Sequence, residues 1–180
     1  MPDAADVANV KVSMDDMRQR FAKFSDLQPS KQAFVDTRIP EHARDIFNVI
    51  GKGVTEDPDL APAIGAAEGF NVTYVGAEPG KGAALHSHQT VEVFIPMSGR
   101  WAVFWGDEGE QEVELDTFDC VSVPVGVMRG FRNIGDEHAY LMAIIGGSDS
   151  GKVGWAQSVL DRAEKTGLKL DTDGNLIAAE

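Results

Sequence analysis

From Phe70 onward, apolar and polar residues alternate with a period of two in short runs rich in Val, Ile, Tyr, Phe and Trp, and Gly, Asp, Asn and Pro separate the runs. The pattern predicts strands at Phe70–Ala77, Ala83–His86, Val91–Met97, Arg100–Trp105, Glu110–Leu115, Cys120–Val123, Met128–Asn133 and His138–Ile145. Ser98-Gly99, Gly106-Asp107 and Gly135-Asp136 read as hairpin turns between them. Many short, evenly spaced strands predict an all-β fold, a small antiparallel jelly-roll barrel.

Outside this stretch the period changes. Met14, Met17, Phe21, Phe24 and Leu27 recur mostly three and four residues apart, Ser13 and Asp16 resemble a capping box, and Pro29 is a stop, so a helix is expected here. The residues before it, including the acidic Met1 to Val10, read as a loose lead-in. A second short helix is expected from Pro40 through Ile46, Phe47 and Ile50 to Gly51, followed by irregular chain from Lys52 to Gly69. Trp155, Val159 and Leu160 predict a C-terminal helix over Gly154–Lys165, with Gly167 as its cap. The expected organisation is an N-terminal helical arm at 1–69, a barrel at 70–148, and a C-terminal helix and tail at 149–180.

The candidate chemistry lies near the start of the barrel. His86 and His88 are two residues apart, which puts both imidazoles on one face of a strand. Glu92 shares their parity and joins them if the chain turns at Gln89-Thr90. Two neutral imidazoles and a carboxylate suit Fe, Mn, Ni, Co or Zn, with further positions left for water or substrate. The stretch Gly80 to Gly99 resembles the first motif of the cupin superfamily: glycine, five residues, His-x-His, three or four residues, glutamate, six residues, glycine. Gly80, His86, His88, Glu92 and Gly99 occupy its positions. The family's second motif is partly met. Pro124, Gly126 and Asn133 stand where expected, but Phe118 replaces the leading glycine and Arg129 replaces the histidine that usually completes the metal site.

A guanidinium has no lone pair to offer and cannot ligate a cation. Three arrangements follow. An ion sits on His86, His88 and Glu92 while Arg129 turns aside to hold an anionic part of a substrate; or Arg129 pairs with Glu92 in the ion's place; or another ligand completes the set. His138 is a poor rescuer, since a hairpin at Ile134–Glu137 puts it roughly 13 Å along the sheet from Arg129. His42 reaches the barrel mouth only if the N-terminal arm folds over it. Tyr74, Phe94 and Phe131 are candidates to line an apolar interior and touch substrate, with core packing as the competing role.

Composition narrows the function classes. The 180 residues carry 16 Lys and Arg against 29 Asp and Glu, a formal charge of −13, which disfavours nucleic acid and anionic membranes as partners. No apolar run approaches a membrane-spanning length of about 20 residues, and no secretory leader is apparent, so a cytoplasmic protein is expected. The single cysteine, Cys120, excludes an intrachain disulfide and a thiolate zinc cage, and is expected to be buried and inert. Asp171 to Asn175 reads as a turn and not a calcium loop. The resemblance implies a metal-dependent enzyme acting on a small organic substrate, with iron the first expectation and Mn, Ni or Zn behind it, and the positive balance of a divalent ion and Arg129 against one carboxylate makes an anionic substrate the expectation. A dioxygenase is preferred among lyase, isomerase and decarboxylase chemistries, and a homodimer is expected. A non-catalytic binding module and a metal-free isomerase or epimerase remain the alternatives.

Overall fold

Two five-stranded antiparallel sheets face one another in the computed structural model, which describes residues 10–179. Along the chain run α1 (Met14–Arg18), β1 (Asp45–Ile50), β2 (Phe70–Ala77), β3 (Gly82–Ser87), β4 (Glu92–Pro96), β5 (Trp101–Trp105), β6 (Gln111–Leu115), β7 (Val121–Val123), β8 (Arg129–Asn133) and β9 (Ala139–Gly146). They are followed by β10 (Gly154–Trp155), α2 (Gln157–Lys165), β11 (Leu168–Leu170) and β12 (Leu176–Ala178). One sheet has the order β1-β2-β9-β4-β7, the other β10-β3-β8-β5-β6, and β11 and β12 form a separate hairpin. This is the all-β jelly roll expected from the alternation. Strand β9 shows the reason most clearly: every second residue from Ala139 to Ile145 is buried between the sheets. Phe94, Trp101, Val103 and Leu141 have no exposed surface and form the centre of the core.

The N-terminal region departs from expectation. Ser13 does cap α1, its hydroxyl accepting from the Asp16 N–H at 3.1 Å, but the helix ends at Arg18 and the rest of the stripe is loop with a 3-10 turn at Phe24–Asp26. An isolated helix of this length has little to gain from propensity alone. Of the expected stripe, Phe24 packs over the outer sheet face, its ring 5.4 Å from Phe47 and 5.1 Å from Tyr140. The expected helix over Pro40–Gly51 is a 3-10 turn at Pro40–His42 followed by strand β1. Ile46, Phe47 and Val49 are β-branched or aromatic, and pairing with β2 from Asp45↔Gly76 to Ile50↔Val72 decides their conformation. Covered on both faces, Ile46 to Val49 are all buried, so the period-two signal is absent.

At the other end, α2 starts at Gln157 because Gly154 and Trp155 pair with Ser87 and His86 as β10. Val159 and Ala163 of α2 join Val35, Ile39, Ala84 and Leu168 in a second apolar cluster outside the barrel. The turn at Asp171–Asn175 closes the β11–β12 hairpin, with Asp171 accepting from the backbone N–H groups of Asp173 and Asn175. Cys120 is exposed, contrary to expectation: it follows the tight turn at Asp116–Asp119 on the outside of the barrel. Among the described residues no helix is long and apolar enough to cross a membrane. The lead-in at residues 1–9 lies outside the described residues.

Candidate metal centre

His86 lies near the end of β3, and the chain then leaves that sheet and crosses to the other, where Glu92 opens β4. His88 sits in the corner between them. Its carbonyl accepts from the Gly126 N–H at 3.0 Å, and Gly126 has a φ of 77°, so the Pro124-x-Gly126 turn pins this corner. Glu92 is flanked in its sheet by Val123 and Ile145, and Arg129, first residue of β8, lies directly opposite His86. Cross-sheet packing thus brings together four side chains from separate segments.

The ligand atoms of His86, His88 and Glu92 lie within 4.8 Å of one another. Glu92 Oε2 is 3.5 Å from His88 Nε2 and 4.0 Å from His86 Nε2. His86 Nδ1 is 2.7 Å from the Ala84 carbonyl, which can only accept. The proton therefore resides on Nδ1, and Nε2 turns a free lone pair toward Glu92. Burial, His88 and Arg129 hold the His86 pKa well below its ordinary value, and burial together with Arg129 pushes His88 down to about 3. Both imidazoles are neutral near pH 7, the form that binds a cation. Burial raises the pKa of Glu92, and the charge and hydrogen bonds of Arg129 oppose the rise.

Arg129 has no exposed surface. Its Nε and Nη2 donate to Glu92 Oε2 at 2.9 and 2.7 Å, and Nη1 donates to the Val127 carbonyl at 3.1 Å. Both bonds to Glu92 fall on one carboxylate oxygen. That oxygen is also the one that faces the two imidazoles, so a cation there shares Oε2 with Arg129 or takes the remaining lone pairs of the carboxylate. Two neutral imidazoles, one with a fixed tautomer, and a carboxylate held in place fit a divalent transition ion.

Beside these groups, between the two sheets, lies a cavity of ≈ 40 Å³ with mostly apolar walls that include Phe34, Ile46, Val75, Phe131, Ile145 and Trp155. Of the aromatic candidates, Phe131 lines it, whereas Phe94 lies beneath with its ring 5.1 Å from that of Phe131. Tyr74 does not face the cavity. Its neighbours on β2, Thr73 and Val75, do, and strand alternation sends Tyr74 to the outer face, 6.3 Å from the Phe24 ring. Arg129 is also not part of the cavity wall, because Glu92 and Val127 occupy its donors. His138 packs on Tyr140 with ring centroids 4.9 Å apart and lines a groove with Lys31, Asp45 and Glu78, away from the histidine pair. His42 contributes its carbonyl to Arg44 at 2.8 Å and its ring to no ligand group.

Three residues of the site escape sequence reasoning. Arg44 enters the cavity wall from the chain just before β1, and Trp155 enters it from β10, its ring 5.4 Å from that of His86. Glu56 holds Trp155, accepting from its indole N–H at 2.6 Å and from the Val35 N–H at 2.6 Å, and burial lifts its pKa to about 7. Each lies far in sequence from the histidines, in segments with no strand or motif signal; an acidic residue amid Val54 and Thr55 is the faint cue for Glu56.

Facing antiparallel sheets around a buried polar centre define a jelly-roll barrel with an internal site, and the family that owns it is recognisable from the sequence. The Cupin domain family model matches residues 73–145. The matched stretch, which is less than half of the chain, runs from β2 to β9, so this part of the barrel is a cupin domain. Among solved structures, the polyketide cyclase RemF from Streptomyces resistomycificus is similar at a TM-score of 0.56 and 13% identity, over 74% of this chain and 82% of that one. The Lactobacillus farciminis oxalate decarboxylase, solved as a formate complex, is similar at a TM-score of 0.53 and 16% identity, over 77% of this chain and 36% of that one. At such identities the likeness is one of fold. No curated protein matches the chain.

Proposed function

We propose that this cupin is a metal-dependent enzyme that binds a divalent transition ion on His86, His88 and Glu92 and processes a small anionic organic substrate in the adjoining cavity. The observation that carries the reading is the convergence of two neutral imidazole nitrogens and a carboxylate within 4.8 Å. The ion, when bound, supplies Lewis-acid activation or, if iron, redox chemistry with dioxygen. Arg129 opposes the rise that burial imposes on the Glu92 pKa and orients its carboxyl group, a positioning task supported by its two bonds to one oxygen. Trp155 and Phe131 close the site with apolar surface and exclude water from the substrate. Three protein ligands leave room for both substrate and dioxygen, which supports a dioxygenase, and a lyase would use the same opening. We read the protein as cytoplasmic and as a homodimer. Exposed Met14, Met17 and Phe21 on the arm support the dimer, and sedimentation equilibrium at micromolar concentration tests it.

The Arg129–Glu92 pair also favours a second reading, in which the guanidinium takes the ion's place and the barrel binds a small molecule without catalysis. A metal-free isomerase is less well supported, because an imidazole held at about pKa 3 is a weak general base. Elemental analysis decides. Protein purified without added metal and then reconstituted with iron, manganese, nickel or zinc should hold close to one ion per chain, and His86→Ala should hold none. Traces alone in every reconstituted sample of the native chain would establish the metal-free reading instead.

A further inference from the structure

We propose that Arg44 is the anion anchor of the cavity: its Nε–H receives the carboxylate of a small, otherwise apolar acid bound beside His86, His88 and Glu92. The proposal rests on reading the cavity as the substrate site and deepens it by naming the substrate class. It holds for the metal-free and metal-loaded protein alike.

Arg44 is buried, at 6% exposure, and lies between this cavity and the groove beside His138, lining both, whereas Arg129 lines neither. Most of its donors are spoken for. Nη2 meets Asp36 Oδ1 at 2.9 Å, and Nη1 donates to Asp36 Oδ2 at 3.0 Å, to the His42 carbonyl at 2.8 Å and to the Gly82 carbonyl at 3.3 Å. Among the described residues Nε has no hydrogen-bond partner, and it is buried. A buried N–H without an acceptor is a cost that an entering acceptor relieves, and an ionised donor does this best with a carboxylate.

The support for this guanidinium is rigid. Asp36 has no exposed surface, and its Oδ2 also accepts from the Ala84 N–H at 3.0 Å, which ties Arg44 to β3 two residues before His86. The guanidinium carbon lies 5.3 Å from the Phe34 ring centroid, so the group is clamped between an aromatic ring and a carboxylate. The buried ion pairs agree. Arg44 is paired with Asp36 and Arg129 with Glu92, and among the described residues the Arg44 Nε–H is the buried guanidinium donor left without an acceptor. Apolar walls then select an acid with a hydrocarbon body over one that is polar throughout.

Benzoate and its neutral isostere benzamide make the test, titrated by calorimetry into the full chain both metal-free and zinc-loaded. The native chain should prefer benzoate. Arg44→Lys keeps the charge beside Asp36 but lacks the Nε–H, and should lose about tenfold or more in benzoate affinity with benzamide unchanged. Should that variant fold poorly, Arg44→Gln with Asp36→Asn removes both buried charges together and should abolish the preference. Arg100→Lys, at an exposed arginine outside the cavity, should retain it. The proposal is overturned if the native chain shows no preference for benzoate, if both Arg44 variants keep the native preference, or if Arg100→Lys abolishes it and Arg44→Lys does not. Failure of the metal reading shows separately, as absence of zinc uptake while the metal-free chain still selects benzoate.

Discussion

Phe118 has a φ of 73°, the only non-glycine residue with positive φ among those described, and its side chain is 81% exposed. It stands where the cupin motif has glycine. An L-residue in this region is strained by about 1–2 kcal/mol, and an exposed ring recovers little of that. Phe118→Gly should therefore stabilise the fold by about 0.5–1 kcal/mol after the entropy of the freer chain is subtracted, read as a higher urea midpoint. At Glu56 the expected effect is on pH dependence. With the pKa at about 7 in the fold against 4.5 in the unfolded chain, the native state holds more protons between these values. Stability therefore falls as pH rises from about 4.5 to 7, by up to about 3 kcal/mol. Glu56→Gln should flatten the profile over that window in urea titrations at pH 5, 6, 7 and 8. Arg129→His removes a permanent cation from beside the site and offers a nitrogen lone pair in its place. Unit charges at 4 Å interact by about 4 kcal/mol at an effective dielectric of 20, so metal affinity should rise at least tenfold in a competitive chelator titration. Weaker metal binding would mean that Arg129 is needed to orient Glu92 more than it repels the ion.

At the scale of elements, the strands with one buried face were legible because alternation reports burial directly: β2 matches its expected span, and β3 to β9 differ from theirs by a single residue at one or both ends. Strand β1 was not, since its burial on both faces erases the period and leaves an apolar run that also fits a helix. The hairpin β11–β12 was read only as its turn, and the six residues that flank it carry too short a pattern to announce a sheet. That hairpin and α2 are held by one small cluster. Leu168 is 1% exposed there, packed with Val35, Ile39 and Val159. Leu168→Ala should cost about 2–4 kcal/mol in urea denaturation while the metal content stays at the native value, because the cluster lies outside the barrel.

For the whole molecule, stability comes from burying apolar surface between two sheets, with the polar centre confined to one corner. Chelation should leave a folded protein with unchanged far-ultraviolet circular dichroism. Nickel or zinc at about a hundredfold over Kd should add about 2.7 kcal/mol, seen as a rise in Tm that His86→Ala removes. Unfolding on chelation would instead assign the ion a structural role.

By itself the sequence determined the local quantities: strand periodicity, the turn glycines, and the spacing that puts His86, His88 and Glu92 on one side of adjoining segments. Those follow from backbone geometry over a few residues. Which of the open arrangements around Arg129 forms, and which other polar groups meet across the fold, was decided only by the tertiary structure. The partner of Arg129 is 37 residues away at Glu92, that of Trp155 is 99 residues away at Glu56, and Arg44 reaches the cavity through Asp36 and β3. Such pairings depend on how two sheets and an arm close over one another, and pairs so distant along the chain leave no periodic trace in it.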